Sequence, residues 1–197
     1  MTELPRDFVA QQIRESIKVK EAMLADAGLV SQIEQVAWRI VDSYRNGGKV
    51  LIAGNGGSAA DAQHITAELV SRFTFDRPAL PAMALTTDTS ILTAISNDYG
   101  YEKLFARQLQ ANGREGDVFI AISTSGNSKN VINGLAVAKE MGIASIGLTG
   151  ASGGAMATLC DLCICVPSDS TPRIQESHIL IGHILCAAVE EALFGES

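Results

Sequence analysis

The chain lacks the features that attract nucleic acid, anionic membranes or nucleotides. Only 15 of its 197 residues are lysine or arginine, against 22 aspartate or glutamate, and the basic residues are scattered. The net charge of −7 argues against nucleic acid or a membrane surface as partner, because both favour basic proteins. No glycine-rich loop ends in Gly-Lys-Ser/Thr, which excludes a Walker nucleotide site.

Membrane-spanning and export signals are also missing. We find no apolar stretch of membrane-spanning length, and the first residues, MTELPRDF, lack the basic-then-apolar pattern of a signal peptide. We therefore expect a cytoplasmic protein without a membrane partner. Apolar residues make up 47% of the chain, enough for a full core, and we expect one domain over residues 1–197.

The cysteines do not make a convincing metal or redox motif. Cys160, Cys163 and Cys165 have the spacing Cys-x-x-Cys-x-Cys, but no second pair with zinc-knuckle spacing accompanies them. The run from Leu162 to Val166 is typical of a buried strand, in which cysteine behaves as a small apolar residue.

The first part of the chain predicts a helical arm. Residues 7–44 carry no strand signal, and their apolar positions recur at threes and fours, which indicates one or two helices broken near Gly28. This arm, assigned to residues 1–46, is longer than a single sheet needs. We expect part of its apolar face to pack on another subunit.

Residues 47–197 predict an α/β core. Short apolar runs at residues 50–53, 82–85, 117–122, 144–148 and 162–167 are too short for helices and read as strands buried on both faces. Helical patterns separate most of them. This alternation predicts a five-stranded, parallel, doubly wound sheet within a three-layer αβα sandwich.

The corner after the first predicted strand is the clearest candidate for a site. The strand ends on Gly54, an Asn-Gly-Gly turn follows at residues 55–57, and Ser58 with Asp61 has the form of a capping box that would begin a helix. Open α/β sheets bind ligands at the carboxyl ends of their strands, which is where this corner lies.

One side of the helix that follows carries polar groups. Spacings of three, four and four residues place four of them on one face: Asp61, His64, Glu68 and Arg72. A solvated surface is the alternative interpretation. An imidazole and a carboxylate at i and i+4 can share a proton, a substrate hydroxyl or a metal ion.

A loop rich in hydroxyl groups follows the third predicted strand. Its three serines and one threonine lie around a glycine and precede a helix: Ser123, Thr124, Ser125 and Ser128. Hydroxyl and backbone N–H donors at a helix N-terminus suit a phosphate group. A polar loop with a serine cap is the alternative. A dinucleotide is disfavoured, because the expected acidic residue has its nearest counterpart only at Asp88.

The closing helix, predicted over residues 172–194, adds a second candidate histidine. Gln175, Ile179 and His183 form one i, i+4 row, so the amide and the imidazole share a face. Histidine in an apolar helix is usually a satisfied core residue, and we interpret His178 in that way. We assign His183 to the site because Gln175 accompanies it.

Together these motifs resemble the phosphoheptose isomerases, a family of sugar isomerase (SIS) domain proteins. The resemblance covers nearly the whole chain and rests on GNGGSAADAQH, Glu68, RPALPAMALTTD, STSGNS, and RIQESH followed by His183. It implies isomerisation of sedoheptulose 7-phosphate to D-glycero-D-manno-heptose 7-phosphate through an enediol, the first step toward the heptose of lipopolysaccharide. It also implies a homotetramer whose active sites are shared between neighbouring subunits.

The resemblance further implies roles for individual residues. Glu68 and His183 would move the proton. The sugar phosphate would contact Asn55, Gly56, Gly57, Glu68, Asn97, Asp98, Ser123, Thr124, Ser125, Ser128 and Gln175, with Asn97 and Asp98 expected at a loop tip. In members that bind zinc, the ligand positions match His64, Glu68, Gln175 and His183. Pro172 departs from the pattern, since some members have an aspartate there.

The alternative is a binding module of the same fold. The tetrameric protein that associates with the bacterial replication initiator shares the Asn-Gly corner and the RIQE stretch. In that relative, the positions equivalent to Glu68 and His183 carry non-catalytic residue types. Both residues are present here, which favours the enzyme.

Overall fold

A parallel sheet of five strands runs through the middle of the molecule. The structure is a computed structural model and describes residues 5–195. The strands are β1 (Val50–Gly54), β2 (Ala82–Ala84), β3 (Val118–Ile122), β4 (Ala144–Thr149) and β5 (Leu162–Cys165). The helices are α1 (Phe8–Ala25), α2 (Ala27–Arg45), α3 (Gly57–Val70), α4 (Thr89–Tyr99), α5 (Leu104–Asn112), α6 (Lys129–Glu140) and α7 (Thr171–Phe194).

The sheet reverses its direction of winding next to β1. The strand order is β2-β1-β3-β4-β5, and every neighbouring pair is parallel. After β2 the chain crosses back over β1 and continues with β3 on the other side. The loops after β1 and β3 therefore border the crevice where sheets of this order bind ligands.

Alternate strand residues supply two apolar layers. Val50 and Ile52 pack with α2, α3 and α7, whereas Leu51 and Ala53 pack on the opposite face with α5 and α6. Every residue of β1 and β3 is buried, as expected of inner strands in a parallel sheet. The three-layer αβα sandwich predicted from the sequence is thereby confirmed.

The N-terminal arm consists of two helices that break at Asp26, slightly before the predicted break at Gly28. The carboxylate of Asp26 accepts hydrogen bonds from the N–H groups of Gly28 and Leu29 at 2.9 and 3.0 Å, which caps α2. Large apolar side chains of α1 stay exposed: Phe8, Val9, Ile13, Ile17 and Leu24. The packing of this face on another subunit stays a prediction.

The predicted capping box at the start of α3 is wrong. α3 begins at Gly57, and its N-cap is Gly56, whose φ of +56° suits only glycine. Ser58 makes no cap. Ser58 is buried against Gly54 instead. A Cβ atom on Gly54 would lie only 2.6 Å from the Cβ of Ser58, so only glycine fits there. Close packing of helix on strand thus replaces the cap.

Two further local predictions are also wrong. α3 ends at Val70, so Arg72 lies beyond the helix and does not share the polar face of His64 and Glu68. Asn97 and Asp98 lie in the last turn of α4 and not at a loop tip. In both cases the helix boundary is two or three residues away from the position that the polar pattern indicates.

α7 is long and apolar enough, by length and composition alone, to cross a membrane, so the expectation that no such segment exists was wrong. In the described structure, however, α7 packs against α1, α2 and α3. The side chains of Ser177, His178 and Glu190 on this helix are completely buried. The environment of α7 is that of a core helix.

His178 is a core residue, as interpreted from the sequence. Its Nε2 donates a hydrogen bond to the carbonyl oxygen of Thr149 at 3.1 Å, and its buried Nδ1 has no partner. Burial lowers the pKa of His178 to about 4, because a charged imidazolium would lose its hydration.

We predict that His178 makes the protein less stable in mild acid. The pKa of histidine is about 6.5 in an unfolded chain and about 4 for His178 in the folded protein, so the unfolded chain binds more protons between these values. Stability therefore rises with pH in this window, and falls by about 3 kcal/mol as the pH drops from about 6.5 to 4.

Urea unfolding of the parent and of His178→Gln, across the same pH range, measures this contribution. The glutamine retains an N–H donor for Thr149 but does not titrate, so the variant should lose less stability on acidification. Equal losses in the two proteins would contradict the prediction.

Candidate active site

The corner after β1 is tied to the start of α6 by paired amides. The side chains of Asn55 and Asn130 exchange two hydrogen bonds, at 2.8 and 2.9 Å. Asn130 is buried, and its Oδ1 also accepts from the N–H of Val131. The hydroxyl of Tyr101 donates to Oδ1 of Asn55 at 2.7 Å. This network fixes the crevice between β1 and β3, although the sequence analysis singled out neither Asn130 nor Tyr101 for the site.

The loop after β3 gathers hydroxyl groups at the N-terminus of α6. Oγ of Ser123 lies 2.9 Å from Oγ of Ser128 and 3.5 Å from Oγ of Ser125. Gly126 has a φ of +65°, and a Cβ there would overlap the carbonyl oxygen of Gly153. Hydroxyl donors at a helix N-terminus form a suitable site for a phosphate group.

A cavity of about 300 Å³ opens beside the hydroxyl loop. Three loops at the carboxyl edge of the sheet, those after β3, β4 and β5, line it together with the first turn of α7: Thr124, Ser125, Asn127, Gly150, Ala151, Ser152, Ser168, Asp169, Thr171 and Ile174. The sequence pattern indicates a site only at the first of these loops. The rule that strand ends share one edge could have found residues 150–152, since they directly follow β4.

Three possible metal ligands meet between α3 and α7. Nε2 of His64 lies 3.0 Å from Nε2 of His183 and 3.3 Å from Oε1 of Glu68. The ligand atoms of the three residues all lie within 4.8 Å of one another. Donors in a tetrahedral site with bonds of about 2.0–2.1 Å are roughly 3.3 Å apart. The spacing of these groups therefore fits a divalent metal ion.

Close packing of the two helices brings these side chains together. Gly182 of α7 faces Ile65 of α3, where a Cβ on the glycine would lie 2.6 Å from Cδ1 of the isoleucine. These two residues are the chain neighbours of His183 and His64. The missing side chain at Gly182 thus lets the helices approach at the point where the histidines meet, a role that helical periodicity alone does not reveal.

Gln175 and Asp61 lie at other places around the site. A Cβ on Gly57 would lie 2.5 Å from Nε2 of Gln175, so this amide borders the glycine corner, about two helical turns before His64. Asp61 is half-buried, and its Oδ2 has no hydrogen-bond partner. Burial raises the pKa of Asp61, and the neighbouring His64 partly offsets this effect.

Asn97 and Asp98 are exposed in the last turn of α4. Nδ2 of Asn97 donates to Oδ1 of Asp98 at 2.8 Å, and α4 buries none of its residues in the single chain. The turn that follows carries Tyr101, which contacts Asn55. A role for the pair in substrate binding stays a prediction.

Comparison with known proteins identifies the family of this chain. Residues 12–150 match the SIS domain family. The chain is 69% identical over 188 residues to phosphoheptose isomerase of Aneurinibacillus thermoaerophilus, covering 95% of each protein. It is 63% identical to phosphoheptose isomerase 2 of Campylobacter jejuni, covering 96% of this chain and 94% of the relative. The chain belongs to the phosphoheptose isomerase family of SIS-domain proteins.

Solved structures of phosphoheptose isomerases have the same fold. The protein from Francisella tularensis superposes with a TM-score of 0.90 at 41% identity, over 97% of this chain and all of that chain (100%). The protein from Neisseria gonorrhoeae gives 0.88 at 44% identity, over 94% of this chain and 98% of that chain. These comparisons confirm the resemblance inferred from the motifs. The protein is an aldose–ketose isomerase.

We predict that the protein binds a divalent metal ion at His64, Glu68 and His183. Elemental analysis of protein purified without chelators should find the metal in the parent. His64→Ala should reduce it to background because one of three close donors is lost. The control His178→Gln changes a histidine outside the group and should retain the metal. Equal metal content in the parent and His64→Ala would refute this assignment.

Proposed function

We propose that the protein converts sedoheptulose 7-phosphate to D-glycero-D-manno-heptose 7-phosphate, the first step toward the heptose of lipopolysaccharide. The observation that carries the proposal is the His64, Glu68 and His183 group in a chain that also presents a hydroxyl loop at a helix N-terminus. The first set can move protons, and the second suits a phosphate. The names of relatives with 69% and 63% identity support the same substrate class.

The distance along α3 from the edge of the sheet, where the hydroxyl loop lies, to the donor group suits a long sugar phosphate. His64 lies seven residues beyond Gly57, or about 10 Å along α3 from the edge of the sheet. A sugar whose carbonyl is several carbon atoms from its phosphate can occupy both places. We assign the phosphate to Ser123, Thr124, Ser125 and Ser128, and sugar contacts to Asn55, Gly56, Gly57, Asn97, Asp98 and Gln175.

The isomerisation moves a proton between C1 and C2 through an enediol. It needs a base that acts on carbon, an acid that acts on oxygen, and a group that stabilises the charge on the enediolate. We assign Glu68 as the base and His183 as the acid. His64 lies between them, 3.3 Å from the carboxylate and 3.0 Å from the second imidazole, and is placed to orient both.

We infer zinc as the metal, held by His64, Glu68 and His183. Gln175 is proposed as a further ligand; its side chain borders Gly57 in the single chain and would have to turn toward the three donors to bind the same ion. A bound zinc ion would act as a Lewis acid toward the carbonyl oxygen of the sugar. A lone pair that Glu68 donates to a metal lowers the basicity of its carboxylate. An imidazole nitrogen bound to zinc likewise carries no proton, so Glu68 and His183 would act as base and acid only through atoms that do not ligate the metal.

We also infer a cytoplasmic homotetramer with active sites at subunit interfaces and without nucleic-acid or membrane partners. The exposed apolar side chains of α1 and the uncovered surface of α4 support an assembly. The net charge of −7 supports the absence of polyanionic partners.

We predict that the hydroxyl loop binds the phosphate of the substrate. The double variant Ser123→Ala with Ser125→Ala should raise the KM for sedoheptulose 7-phosphate tenfold or more, since each hydrogen bond to a charged group contributes about 1.5–3 kcal/mol. Steady-state kinetics with unphosphorylated sedoheptulose serves as control and should change little. An unchanged KM for the phosphate ester in a folded variant would remove the loop from the site.

We predict that Glu68→Gln lowers kcat by about 10² to 10⁴ because the amide keeps the shape of the side chain but cannot accept the proton. The parent should incorporate solvent deuterium at C1 or C2 of the sugar, whereas the control Glu191→Gln, at an exposed carboxylate of α7, should behave like the parent. Turnover by Glu68→Gln at the parent rate would refute the mechanism. A parent that neither turns over the sugar nor exchanges deuterium would favour the non-catalytic module that binds the replication initiator.

A further inference from the structure

A buried carboxylate near the end of α7 holds the loop that follows α3. Glu190 is completely buried, and its two oxygens accept hydrogen bonds from the N–H groups of Phe73, Thr74 and Phe75 at 2.8, 2.7 and 3.2 Å. The same carboxylate accepts from Nε of Arg77 at 3.0 Å. One side chain of α7 thereby fixes the path of five consecutive residues, 73–77.

Arg77 connects this loop back to α3. Its side chain is 2% exposed, and its guanidinium donates to the carbonyl oxygens of Glu68 and Leu69 at 2.8 and 2.7 Å. Those carbonyls belong to the last turn of α3, where helices have no internal donors left and where a positive charge is favourable. Arg77 therefore holds the backbone of Glu68 itself.

The loop also touches the other side of the donor group. The ring of Phe73, whose N–H is held by Glu190, lies 5.6 Å from the imidazole of His183 between ring centres. Glu190 lies seven residues after His183, about two turns further along the same face of α7. A single network thus reaches the backbone of Glu68 and the ring of His183.

We propose that Glu190 and Arg77 are positioning residues for the isomerisation, and that together they set the distance between Glu68 and His183. The proposal rests on the proposed function of that pair. Neither residue contacts the donor atoms directly; Arg77 acts through the backbone of α3 and Glu190 through Phe73 and Arg77.

Stability alone is a weak reason for such a pair. Burying two charges costs free energy that their attraction only partly returns, and well-packed apolar residues often serve as well. Placement of reacting groups is more demanding, since a displacement of about 1 Å can reduce a rate by roughly 10²-fold. We therefore expect the pair of Glu190 and Arg77, which we call the clamp, to affect kcat beyond its effect on folding.

The experiment compares Glu190→Gln with a matched change at Asp117. Asp117 is also a completely buried carboxylate. It accepts from the N–H groups of Lys49 and Arg114, each at 2.9 Å, and pairs with Nζ of Lys49 at 2.6 Å, among the turns that precede β1 and β3. Both Glu190→Gln and Asp117→Asn should lower the Tm. Well below their Tm, only Glu190→Gln should lower kcat, by about 10- to 100-fold, with the KM for the sugar phosphate within about twofold of the parent.

A second readout does not depend on activity. The chain has three histidines, so the ring signals of protein labelled with ¹⁵N-histidine can be assigned by substitution. Glu190→Gln should shift the signals of His64 and His183, whereas Asp117→Asn should leave them in place. The proposal would be overturned if Glu190→Gln had the kcat of the parent and unchanged histidine signals. It would also be overturned if Asp117→Asn lowered kcat as much as Glu190→Gln does.

A variant of Arg77 keeps the proposal testable if Glu190→Gln does not fold. Arg77→Lys retains the charge, but its single nitrogen cannot reach Glu190 and the carbonyls of α3 at once. It should lower kcat and shift the two histidine signals, and a folded Arg77→Lys with parent values for both would overturn the proposal. A parent protein without isomerase activity would overturn both the proposed function and the catalytic role of the clamp. An active parent, together with a Glu190→Gln variant of parent activity and unchanged histidine signals, would overturn the role of the clamp alone.

Discussion

The pairing of β1 with β2 on one side and β3 on the other is the constraint on which the rest of the structure depends. Because all five strands are parallel, they all end at the same edge of the sheet. The loops at that edge take no part in the hydrogen-bond ladder between the strands. The reversal of winding at β1 opens a crevice between two such loops. Asn55 and Asn130 close its base with paired amide hydrogen bonds. The polar groups of the site therefore collect where the backbone geometry leaves room for them.

The chemistry itself depends on a helix contact above the sheet. His64 and His183 are 119 residues apart in the chain, yet their Nε2 atoms lie 3.0 Å from each other. Gly182 permits that approach because it has no side chain to collide with Ile65. Glycine inside a helix costs about 0.5–1 kcal/mol relative to alanine. That cost is acceptable where closeness of two helices, and not helix stability, determines whether donor groups can meet.

Two completely buried carboxylates, Asp117 and Glu190, hold different loops with different consequences. At the amino edge, Asp117 joins the starts of β1 and β3 through Lys49 and Arg114. Beside the site, Glu190 holds the loop after α3. Burial would raise the pKa of Glu190, but hydrogen bonds from Thr74, Phe73 and Phe75 outweigh it and lower the pKa to about 2. The carboxylate therefore keeps its charge, and its hydrogen bond to Arg77, at neutral pH.

The sequence by itself determined the elements of this protein and the two loops that carry its polar groups. Apolar runs, helical spacing and glycine corners are local patterns, and they predicted all five strands, the hydroxyl loop and the His64 and Glu68 pair. Local patterns also misled, as at Ser58, where packing against Gly54 replaced a cap. Only the tertiary structure decided which distant groups meet: Asn130 with Asn55, Gly182 with Ile65, and Glu190 with Arg77. Such contacts join residues from about 75 to more than 110 positions apart, and they depend on how helices and strands pack, which no pattern within one segment contains.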